Sequence, residues 1–251
     1  MSNSALGVFN ISTTIRQTLL GLLGQDCLLC GAHSAAGLLC AGCAAELPHL
    51  SVPHSCPQCA SPSPAAATCG RCLSHPPHYD RSIAAWRYAF PADRLLQSFK
   101  YGARLALAGF CAEHIARAGG LHTDPFRPDA LRIDLVLAMP LHPRRLATRG
   151  FNQALEIARP LARMLALPVD AFALERTRDT AAQAGLALAE RVKNVRGAFA
   201  CKRDLAGLRI ALVDDVMTSG ATLDEAAKTL KRAGALHVEN WVAARTPDHH
   251  R

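Results

Sequence analysis

Aromatic residues are scarce, at 5% of 251 residues, and no apolar run approaches the ~20 residues that a membrane-crossing helix needs. The second absence excludes a helical span; the first means that the 50% hydrophobic content is largely aliphatic, with much of it alanine. The N-terminal stretch Ile11–Leu23 is amphipathic, with Ile11, Ile15, Leu19 and Leu22 on one helical face. It has no basic start, no long apolar centre and no small-residue cleavage site, so it does not read as an export signal. A helix packed on its own protein and a cytoplasmic location are expected. Acidic residues are also in deficit, 20 against 28 Lys and Arg, leaving a net charge of +8. That balance suits polyphosphates and nucleic acid alike and does not separate them. The length accommodates one good core and a smaller module.

Cysteine is abundant and regular. Eight of the ten cysteines form Cys-x-x-Cys pairs: Cys27/Cys30, Cys40/Cys43, Cys56/Cys59 and Cys69/Cys72. The second two pairs repeat the first two at a constant offset, which marks an internal duplication. Each pair converges two thiolates on one ion, and two pairs complete a tetrahedral zinc site with no open position, so the role is structural. A disulfide framework would need an oxidising compartment, and a thioredoxin-like site would be a single pair on a βα turn. Eight thiolates could also hold iron–sulfur clusters, although the duplicated spacing fits zinc better. Two zinc ions are expected, and pairing within repeats or across them uses the same ligands. His33, His54, His75 and His78 have no vacant ligand position to fill, while Cys111 and Cys201 stand alone in apolar runs as core thiols.

Beyond Leu73–Asp80, a Pro-Pro linker, strand and helix patterns alternate. Strands are predicted at Ile83–Tyr88, Asp134–Met139, Val169–Leu174, Ala198–Cys201, Leu208–Val213 and His237–Ala244. Helices are predicted at Ala92–Lys100, Leu105–Ala118, Gln153–Leu165 and Ala221–Ala233. The alternation describes an α/β fold with a mostly parallel sheet. In Leu208–Leu223 an apolar strand ends in Asp214 and Asp215, and a short Thr-Ser-Gly-Ala-Thr loop leads onto a helix. A loop at a helix N-terminus offers N–H groups, hydroxyls and a positive dipole to phosphate. Neighbouring carboxylates can accept hydrogen bonds from vicinal sugar hydroxyls. The stretch is therefore built for a phosphorylated ribose.

This run resembles the phosphoribosyl-pyrophosphate (PRPP) signature of type I phosphoribosyltransferases. The resemblance implies a sheet with helices on both faces and a PRPP-binding segment made of Asp214, Asp215, Val216, Met217, Thr218, Ser219, Gly220, Ala221 and Thr222. In it the two acids hold the ribose hydroxyls and Thr218–Thr222 hold the 5′-phosphate. The strand Asp134–Met139 ends in a basic loop carrying Arg144, Arg145 and Arg149. Ligands of open α/β sheets lie at the carboxyl ends of strands, so these guanidinium groups are candidates for the pyrophosphate.

The wider order is closer still. A Cys-x-x-Cys module, Phe99-Lys100-Tyr101, Pro140-Leu-His-Pro143, Arg149-Gly-Phe-Asn-Gln153, Gln183, Arg191, Asn194 and Val213-Asp-Asp-Val-Met-Thr-Ser-Gly-Ala-Thr222 follow one another. From Cys27 to Arg245 this order is similar to the ComF/GntX family. The resemblance implies a double zinc ribbon before a phosphoribosyltransferase-like domain and a link to natural transformation. PRPP or a phosphoribosyl nucleotide, single-stranded DNA and a competence helicase are the implied partners, with Mg²⁺ accompanying PRPP. Asp214 and Asp215 would be the catalytic acids, and a lid spanning Thr177–Asn194 would carry Gln183, Arg191 and Asn194. The expected divisions are an extension at 1–26, a zinc module at 27–75, the main domain at 80–245 and a disordered tail at 246–251. One position departs from purine-salvage transferases: Thr218 stands where they place a third acid that serves the base, which disfavours purine salvage. A non-catalytic DNA- or nucleotide-binding adaptor with the same fold is the alternative.

Overall fold

A computed structural model describes residues 25–35, 37–50, 54–121, 132–180 and 188–246. The segment Ile11–Leu23, residue Gln183 and the tail beyond Thr246 lie outside the described residues. Contacts divide the chain into two units, Met1–Leu47 and Pro48–Arg251.

In the first unit Gln25–Asp26 pairs antiparallel with His33–Ser34, and a short helix covers Ala41–Ala45. The turn between the strands closes through the N–H of Gly31 donating to Cys27 O at 2.9 Å. Ser34 Oγ donates to the carbonyls of Gly37 and Leu39, which fixes the return of the chain.

The second unit begins with the duplicate of this knuckle. Here the N–H of Ala60 donates to Cys56 O at 2.9 Å, and the short helix is Gly70–Ser74. The main fold follows as β1 (Arg81–Arg87), α1 (Ala92–Gly102), α2 (Ala106–Gly119), β2 (Leu135–Ala138), α3 (Pro143–Arg149), α4 (Gln153–Met164), β3 (Val169–Asp170), β4 (Leu174–Arg176), α5 (Leu188–Val195), β5 (Phe199–Cys201), β6 (Arg209–Met217), α6 (Ala221–Arg232) and β7 (His237–Arg245).

Five strands form one parallel sheet in the order β1-β7-β6-β2-β3. Parallel strands covered on both faces read as continuous apolar runs, and Ile210–Val213 and Trp241–Ala244 are buried throughout. On one side α2 and α4 pack against each other and over β1, β2 and β6; α6 packs on β6 and β7 beside α5 and β5. The buried stripes have helical spacing: Ile157, Ala158 and Leu161 on α4, and Leu223, Ala226, Ala227 and Leu230 on α6. Register places Ala138 beside Val213, and Val213 beside Trp241, so the carboxyl ends of β2, β6 and β7 open together.

Three expectations need correction. The strand foreseen at Val169–Leu174 is two strands, because Asp170 Oδ1 accepts from the N–H groups of Phe172 and Ala173 and turns the chain out of the sheet. The strand foreseen at Ala198–Cys201 does not join the parallel sheet either; β5 pairs antiparallel with β4 in a separate two-stranded sheet. The basic loop after β2 is mostly the helix α3, with Pro143 at its first turn and the His142 ring accepting from the N–H of Arg144.

Candidate functional site

Asp214 and Asp215 close β6 at the open edge of the sheet. Successive strand side chains face opposite ways, and the two acids differ accordingly. Asp215 is buried and meets Lys100 of α1, whose Nζ lies 2.8 Å from Asp215 Oδ2. That approach is an ion pair and not an aligned hydrogen bond, and Asp215 Oδ2 is itself buried. Lys100 is pulled down by burial and held above its ordinary value by Asp215, so it stays charged. Asp214 Oδ1 accepts from the N–H of Asp215 at 2.8 Å. Burial, and then the neighbouring Asp215 charge, raise the Asp214 carboxyl to about 7. A hydroxyl donor or a cation placed there would relieve this acid, so the donor set fits a divalent ion bound with a sugar phosphate.

The chain then turns through Thr218, Ser219 and Gly220 onto the N-terminus of α6. Gly220 has φ +81°, and a Cβ there would lie 2.8 Å from Met217 Cε and 3.1 Å from the Tyr79 hydroxyl. The left-handed backbone favours glycine, and the Tyr79 hydroxyl leaves little room for a side chain. Gly220→Ala is expected to destabilise the protein by about 2 kcal/mol. The readout is a lower urea midpoint with an unchanged slope; an unchanged midpoint would mean that the turn is not held as described. Outside the loop, Arg71 Nη2 donates to Ser219 O at 2.6 Å and Arg245 Nη1 donates to Thr218 O. The His78 N–H donates to Asp224 Oδ1 at 2.6 Å, fixing the first turn of α6.

Beside the acids lies a cleft of about 470 Å³ lined by Lys100, Tyr101, Arg144, Arg145, Arg149 and Asp179, among others. The run Arg149–Gln153 shapes it residue by residue. Gly150 ends α3 in the left-handed conformation, and the Phe151 ring packs against Phe99 at 5.9 Å. Asn152 caps α4 through the N–H of Ala154 and donates to Met139 O at the end of β2. Gln153 Oε1 accepts from Arg149 Nη1 at 2.8 Å, leaving that guanidinium 6.0 Å over the Tyr101 ring. Arg145 donates to Thr180 O at 2.6 Å, and Arg144, largely exposed, lies 3.6 Å from Asp179. All three arginines reach one cleft, and Lys100 joins it to the acids. The Thr218–Thr222 loop does not line it.

The cysteine knuckles resolve the pairing question. Cys27, Cys30, Cys40 and Cys43 form one cluster, and Cys56, Cys59, Cys69 and Cys72 the other, with sulfurs within 4.8 Å of each other. Pairing is therefore within repeats. The Cys27 thiol is raised by burial but lowered more by hydrogen bonds from Cys30, Cys40 and Leu29, to about 6. Hydrogen bonding with Cys30 and Cys40 pushes Cys43 up to about 12, and burial followed by the Cys59 charge raises Cys72. Four thiolates crowded in this way need a cation at their centre, which fits one structural zinc ion per knuckle. Cys111 is buried, as expected; Cys201 is only half-buried and its Sγ donates to Arg203 O.

Of the expected lid contacts, Arg191 and Asn194 lie half-buried on α5, which packs against α6, and neither lines the cleft. Several residues with no assigned role in the motif reading stand at the site. Lys100 and Tyr101 belong to the run Phe99-Lys100-Tyr101, whose place in the motif order is the signal that points to them. Arg176 gave none: it is buried, donates to Thr180 Oγ1, and is lowered by burial and by Arg145.

Residues 19–73 match the double zinc ribbon domain, and residues 152–250 match the phosphoribosyl transferase domain. DNA utilization protein YhgH of Shigella flexneri is 35% identical over 178 residues, covering 68% of this chain and 74% of its own length. Competence protein F of Haemophilus influenzae is 31% identical over 217 residues, covering 85% and 93% respectively. The solved glutamine PRPP amidotransferase of B. subtilis, complexed with ADP and GMP, aligns with 59% of this chain and 30% of its own at 18% identity, with a TM-score of 0.38 that is too low to bear on function. Among the described residues no helix is long and apolar enough to cross a membrane.

Proposed function

The chain belongs to the ComF/GntX family, together with competence protein F and the YhgH proteins, and from that premise we propose that the open edge of its sheet binds Mg·PRPP or a phosphoribosyl nucleotide in the handling of DNA taken up by the cell. The observation that carries this reading is the placement of Asp214 and Asp215 between a helix N-terminal loop and an arginine-lined cleft, with Lys100 linking acids and cleft.

Asp214 and Asp215 would accept hydrogen bonds from the ribose 2′- and 3′-hydroxyls and favour positive charge developing at C1. The Thr218–Thr222 loop would hold the 5′-phosphate with its N–H groups and hydroxyls. Arg144, Arg145 and Arg149 would take the charge of a departing pyrophosphate. Mg²⁺ bound with the pyrophosphate would neutralise part of that charge. The Thr177–Asn194 segment, with Gln183, Arg191 and Asn194, would close over the ligand and exclude water. Thiolates that must stay reduced to hold zinc support a reducing compartment, as the cytoplasm would provide.

A second reading has its own support. Tyr101 is 80% exposed at the mouth of the cleft with Arg149 over its ring, an arrangement on which a base of single-stranded DNA can stack. Thr218 in place of a base-serving acid suits such a non-catalytic adaptor, with a helicase as its partner.

Calorimetric titration of Mg·PRPP into the zinc-loaded protein tests the first reading. Binding is expected, and its loss in Asp214→Asn/Asp215→Asn. No binding by the intact protein overturns the reading. Salt-sensitive single-stranded DNA binding without pyrophosphate release would assign the adaptor role instead.

A further inference from the structure

We propose that Arg71 and Arg245 are positioning residues for the phosphate loop, tying its backbone to the second cysteine knuckle so that consecutive loop amides face the ligand. The inference rests on the reading of Thr218–Thr222 as that loop. Arg71 lies between Cys69 and Cys72 on the short helix Gly70–Ser74, and its Nη2 donates to Ser219 O at 2.6 Å. Arg245 ends β7 and is 1% exposed. Its Nη1 donates to Thr218 O, its Nε to Cys59 O at 2.9 Å, and its Nη2 to Ser61 Oγ at 2.7 Å. Two guanidinium groups thus hold two successive loop carbonyls, and both are fixed by residues within the second cysteine cluster or beside it.

The consequence follows from the peptide unit. It is planar and trans, so the carbonyl of one residue and the N–H of the next point in opposite directions. Holding Thr218 O and Ser219 O toward the knuckle turns the N–H groups of Ser219 and Gly220 away from it, into the turn that opens on the acids. A released carbonyl could rotate, and the peptide would then present oxygen to an anion instead of hydrogen. Tyr79 closes the alternative from beneath, since its hydroxyl already lies 3.1 Å from where a Gly220 Cβ would be. The contacts from His78 to Asp224 hold the next turn from the same side. Arg71, Cys59 acting through Arg245, and His78 therefore hold Ser219, Thr218 and the first turn of the following helix, with the Tyr79 hydroxyl beside Gly220. The second knuckle acts as the strut of the anion site, which explains why a structural metal module should be joined to this sheet at all.

The test uses Arg71→Ala and Arg71→Lys in the full-length, zinc-loaded protein, because Arg245 is buried and its removal risks the fold. Ribose 5-phosphate and inorganic pyrophosphate are titrated separately by calorimetry. Loss of a charge-assisted hydrogen bond predicts about ten-fold weaker ribose 5-phosphate binding in Arg71→Ala. Pyrophosphate, held in the arginine cleft, is expected to bind unchanged, with Arg71→Lys restoring most of the lost affinity. Zinc content should not change, and the ¹⁵N–¹H signals of Ser219 and Gly220 should shift even without ligand. Equal weakening of both ligands, or unmoved loop signals, would overturn the positioning role while leaving the site intact. Failure of the unsubstituted protein to bind ribose 5-phosphate would overturn the reading of the loop and this inference together.

Discussion

Asp214→Asn is expected to raise the thermal midpoint of the ligand-free protein, by more at pH 8 than at pH 5, while removing Mg·PRPP binding. Asp214 is raised from 3.8 to about 7 by burial and by Asp215. Between those values the native protein holds a proton that the unfolded chain has lost, so stability falls as pH rises through that window and stays low above it. Asparagine cannot ionise, and its Oδ1 can still accept from the N–H of Asp215. The gain therefore grows from pH 4 to pH 7 and then levels. About 1.4 kcal/mol per unit sets a ceiling of about 4 kcal/mol, and solvent reaching the half-buried carboxyl reduces it to about 2. For a unit of this size that is roughly 4–8 °C. The same ionisation predicts that affinity for Mg·PRPP climbs as pH rises through about 7. Scanning calorimetry at both pH values checks the stability claim. Equal midpoints for the two proteins at pH 8 would show that the acid pair stores no such strain. A site that is more stable without its acid is the pattern expected where charge is held in readiness for a ligand.

What the sequence made legible was local. The knuckles follow from fixed Cys-x-x-Cys spacing, and β6 through α6 follows from an apolar run, two acids and a glycine in one stretch. The parallel sheet emerges from alternating strand and helix periods. What stayed hidden depends on contacts across long separations. Arg71 and Ser219 are 148 residues apart, and nothing in either neighbourhood announces the bond between them. Lys100 sits inside a recognisable motif, yet its partnership with Asp215 needs α1 folded beside the end of β6. The break between β3 and β4 turns on Asp170 capping two N–H groups, a competition between side chain and ladder that an apolar pattern does not reveal. Pairing of cysteines within repeats was also open until the folded knuckles brought each set of four sulfurs together.

Zinc removal is the other large perturbation, and it should act differently in the two knuckles. Among the described residues of 25–47 only Cys27, Leu39 and Leu47 are buried apolar side chains. Burying a leucine contributes roughly 1.5–3 kcal/mol, whereas ordering backbone costs about 1–2 kcal/mol for every residue fixed. So few side chains cannot hold roughly twenty residues in place, and coordination worth about 10 kcal/mol or more must do so. A high-affinity chelator is therefore expected to abolish amide protection throughout 25–47. The second knuckle shares its unit with the sheet, and its loss should spread along defined contacts. Cys59 O and Ser61 Oγ anchor Arg245, and Arg71 grips Ser219. Faster exchange should accordingly appear at Thr218–Gly220 and Thr246, while Val136 and Leu212, fully buried in β2 and β6, keep their protection. Hydrogen–deuterium exchange with and without chelator reads both regions in one experiment. Retained protection across 25–47 would show that the knuckle folds without metal. An unaltered loop beside a metal-free second knuckle would show that sheet packing alone fixes the turn, since the metal is removed at the cysteine sulfurs and not in the sheet or the turn.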